Sequence, residues 1–266
     1  RYTADDLEPL KSALYNDCLL HKIEFVSGKG NHRTELQKRY DTIKAYHAKL
    51  VEYERHFAIF QKRNSYSKTD HDATFMHMKE DYYMRTGIFK PGYNVQLGVS
   101  DEYVLMAKTY PNPTDTLTFI PFLENFKKAY GFYPKTPVAD AGYGSYDNYL
   151  YCLSHGLELY QKYNYYEAEK HGKQEKLIYQ SKSMRQTDGS FRCPQGKAFI
   201  FDAFELKHDG RYPKLMHKYQ CEDCTNCPVM KDCKKAEGNR NIAVNPVLFE
   251  LQDLAKANLD SQRGIA

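Results

Sequence analysis

The chain has 266 residues, 41% of them hydrophobic and 27% charged, with a formal net charge of +4. That length suffices to bury a core in one or two domains, and no run approaches the roughly 18 apolar residues that a membrane span needs. No charged-then-apolar leader opens the chain, so nothing points to secretion, and Arg1 in place of an initiating Met suggests processing or an internal piece.

Residues 4–63 are expected to form two helices. Leu7, Leu10, Leu14 and Leu20 recur at helical spacing, and Gly28 and Gly30 then interrupt the pattern. Leu36, Ile43, Leu50 and Phe57 follow every seven residues, with Tyr46, Tyr53 and Phe60 three places after the last three. One apolar stripe against a charged face predicts a helical hairpin that packs and carries no chemistry. Residues 64–92 are polar and irregular, with a turn at Pro91-Gly92. Tyr93–Val99 and Tyr103–Tyr110 alternate like strands and should pair as an antiparallel hairpin through Ser100-Asp101-Glu102. Asn112-Pro113-Thr114-Asp115 opens a helix lined by Leu117, Ile120, Leu123 and Phe126 and stopped by Gly131. A short buried strand, Thr136–Ala139, runs into Asp140-Ala141-Gly142-Tyr143, and a helix over about 145–155 and a strand over Leu157–Tyr163 complete the series. The order strand, strand, helix, strand, helix, strand is economically satisfied by a mixed sheet with helices packed on it. A Lys-, Gln- and Ser-rich stretch then leads to a cysteine segment, and a last helix begins near Pro246.

Three groups of residues have the chemistry of a site. Asp140 follows an apolar strand, with small residues behind it that leave room for a metal ion or a substrate backbone. In sheets containing parallel strands, ligands gather at the carboxyl edge. The plainer reading is that Asp140 caps the next helix, a task Ser145 can also perform. Of seven cysteines, Cys193, Cys221, Cys224, Cys227 and Cys233 cluster late in the chain. Short spacings of this kind suit tetrahedral zinc, which takes four ligands, better than a disulfide framework. An iron–sulfur cluster also takes four thiolates and is the less favoured alternative, while Cys18 and Cys152 fall in helix patterns as small core residues. Residues 181–240 hold 12 Lys and Arg against 8 Asp and Glu. Lys214, His217, Lys218, Lys231, Lys234, Lys235 and Arg240 there are candidates to grip phosphates without reading sequence.

Asp140-Ala141-Gly142-Tyr143 resembles the Asp-x-Gly-Tyr signature around the second catalytic Asp of DDE-type insertion-sequence transposases. Lys90-Pro91-Gly92-Tyr93-Asn94-Val95-Gln96 resembles the stretch opening the second core strand in one branch of that family, and Asp70-His71-Asp72-Ala73 resembles the Asp-Pro-Asp-Ala before it. Asn112 and Asp115 sit where the family has the loop preceding its first core helix. The resemblance implies an RNase H-like α/β fold: a mixed sheet with an N-terminal helical hairpin and a Cys-rich, zinc-binding insertion. The implied domains are a hairpin over 1–63, a partial catalytic core over 64–163, the insertion over 164–240 and a C-terminal helix over 241–266. It also implies two Mg²⁺ or Mn²⁺ ions held by Asp, Asp and Glu, which cut and join DNA by phosphoryl transfer. Its Cys-Pro-x-Gly and Cys-x2-Cys-Pro-x4-Cys patterns favour Cys193, Cys224, Cys227 and Cys233 as zinc ligands, with Cys221 as a possible substitute. Double-stranded DNA is the implied partner, with a homodimer as the assembly and a nucleoid-associated, cytoplasmic bacterial setting; no membrane partner is expected.

The family pattern breaks at two places. No Asp-Gly-Thr carries the first acid, which is expected upstream of Arg1; Asp70 and Asp72 are weaker substitutes. No Tyr follows Tyr219, so the Tyr-x2-Arg-x3-Glu-x6-Lys helix of the third acid is missing as well. Leu259-Asp260-Ser261-Gln262-Arg263-Gly264 resembles the run leading into that helix, and Glu250 is a poor replacement. The chain is therefore expected to be inactive by itself. The rival reading is a non-enzymatic, zinc-stapled nucleic-acid-binding protein.

Overall fold

The computed structural model describes residues 2–61, 63–78, 84–172 and 177–265. Part of the Lys-, Gln- and Ser-rich stretch, residues 173–176, thus lies outside the described residues. The chain divides into two compact units, Arg1–Tyr93 and Asn94–Ala266. Among the described residues no helix is long and apolar enough to cross a membrane.

The first unit holds the expected helices, α1 (Ala4–Leu20) and α2 (Glu35–Phe60). Thr3 caps α1 in a reciprocal box with Asp6, and Thr34 caps α2 by accepting from the Gln37 N–H. The helices run antiparallel, since the Ala4 N–H donates to Glu54 and Gln37 bonds Val26 at the other end. Tyr46, Tyr53 and Phe57 of the predicted stripe are exposed, so the stripe as a whole is not the face that α2 buries. The stretch expected to be irregular contains β1 (Thr74–His77) and β2 (Phe89–Gly92), an antiparallel pair.

The second unit begins with β3 (Asn94–Ser100) and β4 (Tyr103–Tyr110), the predicted hairpin, turning at Asp101 with φ 53. α3 (Phe119–Tyr130) ends at Gly131 in the left-handed region, as a C-terminal glycine should. β5 (Val138–Ala139) pairs in parallel with β6 (Tyr160–Gln161), and α4 (Tyr146–Ser154) joins them. α5 (Tyr166–Lys170) follows. Beyond it the cysteine segment is built on an antiparallel sheet of β7 (Phe199–Lys207), β8 (Lys214–Cys221) and β9 (Asn241–Val244), with α6 (Met230–Cys233) between the last two. α7 (Pro246–Leu259), capped by Asn245, and the short α8 (Gln262–Ile265) end the chain.

The core joins α3, α4 and α7. Phe119, Leu123, Tyr149, Tyr151, Cys152, Leu251 and Ala255 are buried in one cluster, and Phe199, Cys221, Ile242, Val244 and Phe249 in a second under the three-stranded sheet. Cys18 and Cys152 are fully buried, as small core residues.

The expected single mixed sheet is not what these residues form. β3–β4 and β5–β6 are separate two-stranded sheets. They face each other across an apolar cavity of about 500 Å³ lined by Gln96–Ser100 and Thr136–Ala139. Phe119, Phe122, Leu123 and Phe126 of α3 line the same cavity. Short-range hydrophobic alternation predicts each pair but not what lies between them.

Glycines test this packing. A Cβ on Gly144 would stand 2.1 Å from the Lys162 carbonyl oxygen, whereas one on Gly156 (φ +68) meets nothing within 4 Å. Urea denaturation should show Gly144→Ala losing about 3 kcal/mol or more, and Gly156→Ala, with only backbone strain, about 1 kcal/mol.

Candidate functional site

Asp140 lies immediately after β5, exposed, where the parallel pair ends. Its Oδ1 accepts the Gly142 N–H at 2.8 Å, which curls the loop around the carboxylate. It does not cap α4. Ser145 does, accepting from the Asn148 N–H at 3.3 Å. The plainer reading of Asp140 as a helix cap is thereby removed.

The loop is held from three sides. Asn148, almost completely buried, donates to the carbonyls of Tyr143 (2.8 Å) and Thr116 (3.1 Å). Thr116 Oγ1 donates to the Gly142 carbonyl at 2.8 Å. Tyr143 Oη donates to Gln96 Oε1 on β3. Gln96 is itself buried and donates, with Asn94, to Asp115 Oδ1 at 3.0 and 2.7 Å. Asp115 is the residue that sequence reasoning placed as a helix opener and not in the site. A Cβ on Gly142 would sit 3.1 Å from both Asp115 Oδ2 and Asp140 Oδ1, so the two carboxylates flank one glycine. The signal for Asp115 was its place in Asn112-Pro113-Thr114-Asp115; its polar partners on β3 could not be read from spacing.

Two negative charges beside Tyr143 add to burial, the larger cause, and push its phenol up to about 12. Asp70 and Asp72 lie in the other unit. Asp70 accepts from Tyr93 Oη at 2.7 Å and from the Asp72 N–H at 3.1 Å, and the tyrosine bond chiefly holds its carboxyl below the usual range. A role in closing that turn accounts for Asp70.

The late cysteines converge on one cavity of about 260 Å³, lined by Cys193, Cys221, Cys224, Cys227, Cys233 and Arg240. Two tight turns present them. The Gly196 N–H bonds the Cys193 carbonyl at 2.8 Å, and the Cys227 N–H bonds that of Cys224 at 3.4 Å. Arg240 serves the sulfurs: its backbone N–H donates to Cys224 Sγ at 3.3 Å and its Nη1 to Cys233 Sγ at 2.8 Å. The rest of its guanidinium bonds the Cys233 and Tyr179 carbonyls. Cys221 differs from the others. It is buried in the core under β7–β9, its Sγ directed at the Asp223 carbonyl (3.8 Å), and burial pushes its thiol up to about 12. Among the described residues no three His, Cys, Asp or Glu side chains stand close enough together to hold a metal ion as they are placed. The donor set still suits zinc: four partly exposed sulfurs share one pocket, and N–H groups already point at two of them.

Of the basic residues, Lys231 and Lys235 are exposed. Lys214 pairs with Asp209 at 3.1 Å and Lys218 with Glu205 at 3.3 Å, while Lys234 bonds the Ala236 and Gly238 carbonyls. Both pairs are half-exposed, and ion pairs open to solvent are worth little.

Residues 192–266 match a family model described as transposase DDE domain, a span that contains the whole late cysteine set and α7. No curated protein and no solved structure matches the chain.

The position of Tyr143 makes a pH prediction. With its folded value raised above the ordinary one near 10, its contribution is fully present below pH 10 and is lost as pH rises through about 12. The stability difference between the natural chain and Tyr143→Phe, followed by urea midpoints, should therefore shrink across that window.

Proposed function

We infer that this chain, which carries a transposase DDE domain over residues 192–266, acts on double-stranded DNA in transposition, with Asp140 as one of the acids of its catalytic centre. The observation that carries the reading is the exposed Asp140 carboxylate at the end of a parallel strand, held by its own loop and freed from capping duty by Ser145. Divalent metal ions, when bound at the acids of such a centre, activate the attacking oxygen and steady the leaving one in an in-line displacement at phosphorus. Asp140 would hold such an ion. Gln96, Tyr143 and Asn148 do the chain's own part of the work by fixing the loop that carries it.

The gap between β3 and β5 supports the finer, RNase H-like reading. Two strands that, among the described residues, have no partner on the sides bordering an apolar cavity are what a further strand would join. A strand seated there ends beside Asp140, the place where a partner acid is needed. Asp140 is the one family acid with a matching signature among these residues. The chain alone is therefore expected to bind Mn²⁺ weakly and duplex DNA measurably, without joining DNA ends. Lys214, Lys218, Lys231 and Lys235 supply phosphate contacts that position DNA but read no sequence, while Lys234 is occupied with the Ala236 and Gly238 carbonyls. A homodimer would bring two such centres to two DNA ends.

Cys193, Cys224, Cys227 and Cys233 would hold zinc, whose binding energy folds a segment with little apolar surface of its own. Cys221, the most buried of the five, lines the same cavity beside Cys224 and is the possible substitute.

Two measurements test these assignments. Asp140→Asn should abolish Mn²⁺ binding, read by electron paramagnetic resonance, with the thermal midpoint unchanged. Indifference of Mn²⁺ affinity to that substitution would leave a non-enzymatic nucleic-acid-binding protein. Metal analysis of purified chain should find one zinc per chain, and Cys224→Ser should lose it and unfold β7–β9 at lower temperature. A chain that is folded, reduced and zinc-free would remove the zinc assignment.

A further inference from the structure

The turn joining β7 to β8, residues 208–213, is fastened to the first turn of α4. Asp147 Oδ2 accepts the Arg211 N–H at 2.9 Å, and its Oδ1 accepts the Tyr212 N–H at 3.3 Å. Gly210 lies flat against that carboxylate, where a Cβ would stand 2.4 Å from Oδ2. On either side, Tyr146 Oη donates to the Pro213 carbonyl at 3.3 Å and the Arg211 guanidinium lies 5.4 Å from the Tyr151 ring centroid. Tyr212 packs against the core cluster that holds Tyr149 and Leu251.

An acid in the first turn of a helix is ordinarily explained by capping or by the helix dipole. Capping is excluded here, because Ser145 performs it. A dipole role asks nothing of the carboxylate's direction, whereas Asp147 is aimed at two successive N–H groups of a segment more than sixty residues away. Successive N–H groups in a turn form an anion-binding nest, and here the chain supplies the anion.

What the turn carries gives the contact its meaning. β8 begins at Lys214, the residue after Pro213. By alternation and register, Lys207 opposite Lys214, and Lys218 opposite Ala203, share one face of the hairpin. α4 itself begins right after the loop that holds Asp140. We propose that Asp147 is a positioning residue: by clasping turn 208–213 onto α4 it sets Lys214 and Lys218 at a fixed place relative to Asp140, so that one DNA duplex meets both. This rests on the reading of the chain as a DNA-acting protein. Phosphate contacts help an active acid only when the backbone they hold also passes that acid, so the geometry of the clasp matters more than the number of lysines.

The test uses the full chain and a short mixed-sequence DNA duplex, with affinity followed by fluorescence anisotropy across a salt series. Each phosphate contact contributes about 0.9 to the slope of log K against log salt. Asp147→Ala and, from the other side of the clasp, Gly210→Ala should each lower that slope by about two and weaken binding about tenfold at moderate salt. The double variant Lys214→Ala/Lys218→Ala should lose the same slope, and adding Asp147→Ala to it should take nothing more. Mn²⁺ affinity should stay at the natural value in the clasp variants. A merely structural role predicts lost stability with the slope intact, and that result overturns the proposal. So does a further fall in slope when Asp147→Ala is added to the lysine variant. A natural chain with no affinity for the duplex removes the functional reading itself, and the positioning role goes with it.

Discussion

One helix joins most of the second unit. α7 buries Leu251 and Ala255 against α3 and α4, Leu259 against Tyr160, Tyr163 and Tyr166, and Phe249 under the three-stranded sheet. Leu251, Ala255 and Leu259 fall every four residues on one stripe, while Phe249, two places before the first of them, points to another side. A single rod therefore belongs to three hydrophobic clusters at once. Each such side chain is worth roughly 2 kcal/mol on burial, and none can shift without opening a second interface. The cysteine segment is thus part of the frame that places α4, and through α4 the loop of Asp140.

Within that frame the loop is held by polar groups, because no ladder joins β3 to β5. Gln96 stands at the centre: its amide N–H donates to Asp115 and its carbonyl oxygen accepts from Tyr143. A buried amide with both ends satisfied has one low-energy orientation, since reversing it would set its carbonyl oxygen against the Asp115 carboxylate, acceptor to acceptor. The chain of contacts from β3 through Gln96 to Tyr143 therefore fixes distance as well as direction. Asp115 spends one oxygen on Asn94 and Gln96, while Asp140, among the described residues, receives the Gly142 N–H alone. Each carboxylate thus keeps one oxygen outside these bonds, and of the two Asp140 is the one exposed to solvent while Asp115 is half-buried.

The sequence signals that succeeded were local ones. Gly131 ending α3, Ser145 opening α4 and the alternation of β3 and β4 depend on residues within one turn or one strand. The place of Asp140 in the fold was legible for the same reason: an apolar pair followed by an acid and a glycine makes a strand end and a tight loop. β7 and β8 went unread although Asp209-Gly210 between two alternating runs is a hairpin signal; the Lys and Cys content around them drew attention to chemistry instead. Asp115 and Asp147 were unreadable in principle. Their partners lie 21 and 64 residues away, and no periodicity encodes such a distance. The absence of one continuous sheet belongs to the same class, because pairing between remote edges is a tertiary outcome.

The basic surplus of the cysteine segment divides on inspection into two kinds of charge. Arg240, grouped by sequence with the phosphate contacts, has its guanidinium committed to Cys233 and to two carbonyls, where it orients the wall of the cysteine pocket. Lys234 bonds neighbouring carbonyls and braces the same loop. Lys231 and Lys235 face solvent, and Lys214 and Lys218 stand on the hairpin in pairs that a phosphate can displace. A count of charges treats these alike, but only those free to exchange partners can release counterions from DNA. The basic residues free to exchange partners are accordingly fewer than the composition suggests, and two of them, Lys214 and Lys218, stand on the hairpin that Asp147 ties to α4.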